Sequence, residues 1–285
     1  MDRKRLPQLV VSAAFVVLLA AWLAVYAVDG AAWFGRPPVI GETPIYLWQI
    51  LFPNGPIEWL QWIGLAAGAV LSTYLGGRLR ERDPNGDGWR FWTLFGVGLA
   101  IMLLEDAGDM RHIIVAWATN AFGSEIGPLP TRYVLELPYL AAMVSVLVYA
   151  VLRYGGVVFR PTRTRRYLVS GLVFYTFAAI SHVPVFDFKE RAGAFMNSLM
   201  AGGQMAIPED RTLTSLHTAL ADGPIEETLE LAAVACLLAM AVAFWAEKFP
   251  RLTGREAGPQ PEADGAEQAA LPEDAPRPRR GSTQS

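Results

Sequence analysis

The chain has 285 residues, 53% of them hydrophobic and 18% charged, with a mean hydropathy of +0.28 and a formal net charge of −3. The apolar residues gather into about six runs of roughly 20, each long enough to cross ~30 Å of hydrocarbon, which excludes an ordinary soluble globular enzyme and a disordered chain. No basic excess exists to attract nucleic acid.

The pattern predicts an all-α membrane protein, a bundle of six transmembrane helices over residues 1–249, with residues 250–285 as a disordered cytoplasmic tail. The first span, 9–28, follows Arg3, Lys4 and Arg5. Its apolar core is longer than the roughly 7–15 residues of a signal peptide, so it is expected to stay as an uncleaved span. The other spans are predicted at 57–77, 91–116, 133–153, 167–186 and 225–246. Trp59, Trp62, Trp89, Trp92, Trp117 and Trp245 mark several ends, as amphipathic rings do at a membrane boundary.

Orientation follows from the basic residues. With six spans and the N-terminus inside, inner segments and span ends hold 18 Lys and Arg, Arg153 among them, against 6 on the outer side, Arg111 among them. Both termini are therefore expected on the cytoplasmic side of an inner (plasma) membrane. Arginine outnumbers lysine 21 to 3, a bias of GC-rich genomes that suggests a bacterial source.

Three outer loops are long. Residues 29–56 carry an apolar piece, 45–52, expected to lie on the surface; 117–132 are rich in Gly and Pro; 187–224 hold an amphipathic helix around 189–201. The inner segment Asp83-Pro84-Asn85-Gly86-Asp87-Gly88 resembles the start of a calcium loop, but the twelfth position is Leu94, so a tight turn is expected. Gly64 and Gly68 form a small-residue motif that predicts close helix contact. Cys236, the one cysteine, lies in an apolar run and reads as packing.

The chemistry-bearing residues lie in the outer half. Glu105, Asp109 and His112 stand at i, i+4 and i+7 of the third span, one stripe of a continuous helix, with Asp106 about 100° away. Counting 1.5 Å per residue from the inner ends puts Glu105, Glu136, His182 and Glu230 at roughly 21–25 Å, in one layer. Glu226 and Glu227 lie slightly further out, after an Asp222-Gly223-Pro224 start that reads as a helix cap. A charged group at the bilayer centre costs roughly 2.5–3.5 kcal/mol on insertion scales, so such acids need partners, protons, water or a metal.

Carboxylates and imidazoles projecting from several helices of a bundle are how iron and manganese sites are built, and zinc takes the same ligands. The expected ligands are Glu105, Asp109, His112, Glu136, His182, Glu226, Glu227 and Glu230. A metal-binding membrane protein with redox or hydrolytic chemistry, acting on a small-molecule or lipid substrate from the outer side, is the leading reading. A proton-coupled transporter or proton path is the alternative. A non-catalytic scaffold with a structural polar network is the second alternative. The lipid bilayer is the one partner the composition names.

Glu226-Glu227 does not complete the Glu-Glu-x-x-x-Arg motif of the CPBP intramembrane proteases. The Arg position is Leu231, and Ala178 stands where that family has Phe, four before His182. Leu104-Glu105-Asp106 with His112, together with Glu226-Glu227-Thr228-Leu229-Glu230, resembles a group of uncharacterised bacterial polytopic membrane proteins. Those carry an acidic pair and a histidine on one span and Glu-Glu-x-x-Glu opening a late span. The resemblance covers two spans and implies a shared acid cluster, with no reaction attached.

Overall fold

The computed structural model describes residues 3–35, 39–40, 43–126, 129–181, 188–199 and 220–252. Almost all of them are helical. Helix α1 (Leu6–Val25) has Pro in its first turn and runs on through a π-helical turn, Tyr26–Gly30. Two short antiparallel strands, β1 (Val39–Ile40) and β2 (Thr43–Pro44), pair Val39 with Pro44 and Ile40 with Thr43. A short helix, α2 (Leu47–Leu51), precedes α3 (Pro56–Arg82), and α4 (Asp87–Gly108) follows across the Asp83–Gly86 turn. Helix α5 (Met110–Phe122) leads through β3 (Glu125–Ile126) and β4 (Leu129–Pro130) to α6 (Thr131–Tyr154). Then come α7 (Gly156–Phe159), α8 (Thr162–Ser181), α9 (Phe188–Leu199), a π-helical turn at Ala221–Ile225, and α10 (Glu226–Leu252).

Helix α10 is the hub. It packs against α8, α3 and α1, while α4 joins α3 to α6. The sequence explains the choice. Ala232, Ala233, Ala235, Ala239, Ala241 and Ala243 are all buried, and small side chains let three neighbours approach one backbone. Leu237, Met240 and Phe244 fill the spaces between. The Phe244 ring sits 4.8 Å from Trp92 of α4, which meets Phe91 edge-on at 5.2 Å. Buried Cys236 is part of this packing, as expected. The Arg3 guanidinium lies 5.8 Å from the Trp245 ring, fixing the start of α1 against the end of α10.

The small-residue motif on α3 makes the contact its spacing predicts. A β-carbon on Gly64 would stand 2.5 Å from Val234 Cγ1 of α10, and one on Gly68 would stand 2.9 Å from Leu99 Cδ1 of α4. The segment after α3 is the expected tight turn, closed by the Gly86 N–H to the Asp83 carbonyl at 3.2 Å.

Among the described residues, four helices are long and apolar enough to cross a membrane: Leu6–Gly30, Asp87–Gly108, Val134–Tyr154 and Gly223–Lys248. They match the first, third, fourth and sixth expected spans. Helices α3 and α8 occupy the places of the second and fifth.

Four expectations change. The third span is not one helix over 91–116, because α4 ends at Gly108 and Asp109 adopts a left-handed backbone (φ 47°, ψ 36°) before α5 begins. The apolar piece 45–52 does not lie on the surface: Tyr46, Trp48 and Phe52 are buried against α1, α3 and Leu220. The outer loop 117–132 is helical to Phe122. The last helix is entered from a turn already helical at Ala221, so no extended cap precedes it. The helix expected around 189–201 is found as α9. The tail from 253 lies outside the described residues, and residues 250–252 close α10.

Candidate functional site

The centre of the site is an uncharged side chain. Gln61 stands on α3 one turn after Glu58, on the face turned towards α4 and α10, and it is 2% exposed. Its Nε2 donates to Asp106 Oδ2 of α4 at 2.8 Å and to Glu230 Oε2 of α10 at 2.7 Å. Trp62 Nε1 donates to the same Asp106 oxygen at 3.0 Å. Acids from two helices thus converge on one amide nitrogen of a third.

Other charges surround this pair. Glu227 lies within electrostatic reach of Glu230, Glu58, Asp106 and Glu226. Glu230 feels Glu226, Asp106 and Arg111, the last from the first turn of α5. Tyr175 brings α8 to the cluster, its hydroxyl facing the field of Glu230, Asp106 and Glu227. Buried Glu58 accepts the backbone N–H of Asn54. Glu226 is buried at the start of α10, where negative charge suits the helix dipole.

Four buried polar atoms here have no hydrogen-bond partner among the described residues: Gln61 Oε1, Glu227 Oε2, Tyr175 OH and Arg111 Nε. Two accept, one donates and one does both. Orphans of this kind are rare in protein interiors and mark sites that hold water, ions or ligands.

One turn along each helix the side chains become apolar. Leu65 follows Gln61 by four residues, Met102 and Leu99 precede Asp106 by four and seven, and Val234 and Leu237 follow Glu230 by four and seven. All five belong to the buried apolar core. The cluster therefore stands on an apolar layer, and Ser72 of α3 is the next buried polar side chain beyond it.

The expected ligands are distributed unevenly. Glu230 and Glu227 are in the cluster, and Glu226 is beside it. Glu105 turns instead to α6, accepting from the Tyr139 hydroxyl at 3.1 Å. Asp109 is exposed at the break between α4 and α5, so the stripe that would align it with Glu105 and His112 does not form. His112 is on α5, its side chain outside the described residues, as is all of His182. Glu136 is buried on α6. Among the described residues, no three His, Cys, Asp or Glu side chains stand in a geometry that holds a metal ion.

Sequence reasoning missed Gln61, Asp106, Trp62 and Tyr175. Asp106 was set aside as off the stripe. A polar stripe was visible on α3 at Glu58, Gln61 and Trp62, spaced i, i+3 and i+4. The fold and the cluster together define an all-α protein with helices apolar enough to cross a membrane and a buried carboxylate–amide site near one end. Comparison of the chain with protein-family models, curated proteins and solved structures finds no match in any of the three.

Proposed function

We propose that this is a six-span inner-membrane protein with both termini cytoplasmic. In this reading the Asp106–Gln61–Glu230 cluster is a cation-binding site in the outer half of the bilayer, with protons as its working cation. The reading is carried by one observation: two carboxylates from different helices share a single amide donor, with unpartnered polar atoms around them. Like charges brought together away from water repel strongly, and one amide and one indole N–H supply little positive charge. Protons fit the described side chains as they stand, since a carboxyl O–H can donate to Gln61 Oε1 or to a neighbouring carboxylate.

The apolar layer of Leu65, Leu99, Met102, Val234 and Leu237, which separates the cluster from buried Ser72, supports a one-sided site rather than a path across the membrane. Protons exchanged with the outer side would serve binding or chemistry there. A site of this kind suits a small molecule or an outer-leaflet lipid as substrate.

The second reading is the metal one. The oxygen-rich set of Asp106, Glu227, Glu230 and Gln61 Oε1 favours manganese among iron, manganese and zinc. A metal would draw in side chains that now stand apart, and would supply a Lewis acid or an activated water.

Infrared spectroscopy of the purified protein, titrated with pH in detergent, separates the two. The proton reading expects a protonated-carboxyl band that disappears in Asp106→Asn and Glu230→Gln. No such band at any pH where the protein stays folded sinks it. Stoichiometric metal in protein purified without chelators, absent from both variants, establishes the metal reading in its place.

A further inference from the structure

Helix α2 and the turn after it lie over the outer ends of α3 and α10, the helices that carry Gln61, Glu227 and Glu230. Tyr46, Trp48 and Phe52 are at most 5% exposed, packed among Leu18, Ala21 and Val25 of α1, Ile57 of α3, Leu220 and Leu231. The Trp48 indole covers Gly223, where a β-carbon would stand 3.2 Å from Cζ3. The Phe52 ring sits 5.1 Å from that of Trp22. Trp22 Nε1 in turn donates at 2.9 Å to Thr228 Oγ1, the residue after Glu227. The turn also ties down the cluster's rim, since the Asn54 N–H donates to Glu58.

A five-residue helix does not hold itself together, because nucleation fixes several residues for very few bonds and leaves its first N–H groups unpaired. Here the missing acceptors come from a distance. The N–H groups of Leu47 and Trp48 donate to Oδ1 and Oδ2 of Asp29, at 2.8 and 2.9 Å. Asp29 is itself 8% exposed, at the outer end of the first helix. The Gln49 side chain caps the helix locally, accepting the Tyr46 N–H at 3.0 Å, and the buried Asp29 carboxylate supplies the remaining acceptors and seats α2 on α1.

We propose that α2 is a plug over the outer mouth of the acid cluster, latched by Asp29, and that its release admits water and cations to Glu227, Glu230 and Asp106. This rests on the reading of the cluster as a site that exchanges with the outer side. Asp29→Asn keeps the shape but turns one oxygen into an NH₂ that faces an N–H donor. Phe52→Ala loosens the same segment from its apolar side.

The test is thiol labelling of Thr228→Cys by a charged, membrane-impermeant maleimide, with buried Cys236 as the internal unreactive control. Labelling should be slow with Asp29 and Phe52 intact and at least about tenfold faster with Asp29→Asn or Phe52→Ala added. Amide exchange at Leu47 and Trp48 should speed up in the same variants. Full-rate labelling of Thr228→Cys with Asp29 and Phe52 intact overturns the plug. So does faster amide exchange with unchanged labelling. Unchanged exchange in Asp29→Asn overturns the latch. Labelling compared at one fixed pH reads access to position 228 whether or not the acids carry protons, so an infrared titration without a carboxyl band removes the cation site and leaves the labelling result to decide the plug.

Discussion

Asp106 and Glu230 accept hydrogen bonds from the same nitrogen, Gln61 Nε2, at 2.8 and 2.7 Å, although they belong to different helices and are separated by 124 residues. The amide sets their mutual position. Its carbonyl, Oε1, is buried without a partner. The relationship makes Gln61 the residue on which the geometry of the site depends.

Gln61→Leu should therefore be costly. It removes the donor to two carboxylates and leaves them facing each other, a loss of about 2–3 kcal/mol on the scale of hydrogen bonds to charged groups. Tyr139→Phe removes one bond to half-exposed Glu105 and should cost well under half as much. Thermal unfolding of the two variants in the same detergent, followed by circular dichroism, gives the comparison. Equal losses would show that Gln61 has no special place.

Helix contact on α3 gives a second prediction. Gly64→Val places methyl groups where Val234 already stands, and overpacking of this kind costs roughly 1–3 kcal/mol. Gly77→Ala is the control, because its added methyl meets nothing within 4 Å. The first should lower the melting temperature and the second should leave it within error.

The break after α4 depends on backbone conformation. Asp109 is held at φ 47°, a region that costs an L-residue roughly 1–2 kcal/mol and a β-branched residue more. Asp109→Gly should leave stability unchanged or slightly raised, and Asp109→Val should lower it. If Asp109→Val is neutral, the chain passes from α4 to α5 by another route.

Topology is checked by single cysteines at exposed positions. Asn85→Cys, in the turn between α3 and α4, should react with an impermeant thiol reagent only from the cytoplasmic face. Asn120→Cys, near the end of α5, should react only from the outer face. Labelling of both from one side contradicts an odd number of crossings between them.

The apolar runs made the long helices legible, because a span must be apolar round most of its circumference and its ends are marked by tryptophan and arginine. The layer of Glu105, Glu136, His182 and Glu230 was legible only in part: Glu230 of the last helix does come to the third-span acids, but its partner there is Asp106 and not Glu105. Rotation was not legible. Once α4 stops at Gly108, a stripe drawn through Glu105, Asp109 and His112 has no helix to lie on. Asp106, one residue round from it, faces α3 instead. Gly108 before Asp109 was the signal, a glycine next to a residue that tolerates the left-handed region. Gln61 carries no charge and so escaped a search for charges. The burial of Trp48 and Phe52 followed from tertiary contacts with α1 and Leu220 that no local pattern encodes.

Helices α3 and α8 are as long as their neighbours but are not among those apolar enough to cross a membrane unaided. One bears Glu58 and Gln61, the other a first turn of Arg163, Arg165 and Arg166. Each packs along a helix that does qualify: α3 on α4 and on α10, α8 on α10. In a six-span arrangement this orders biogenesis. The translocon would release α3 and α4 into lipid together as a hairpin, and would retain α8 until α10 has been synthesised. The acids of the site would then reach the bilayer interior already accompanied.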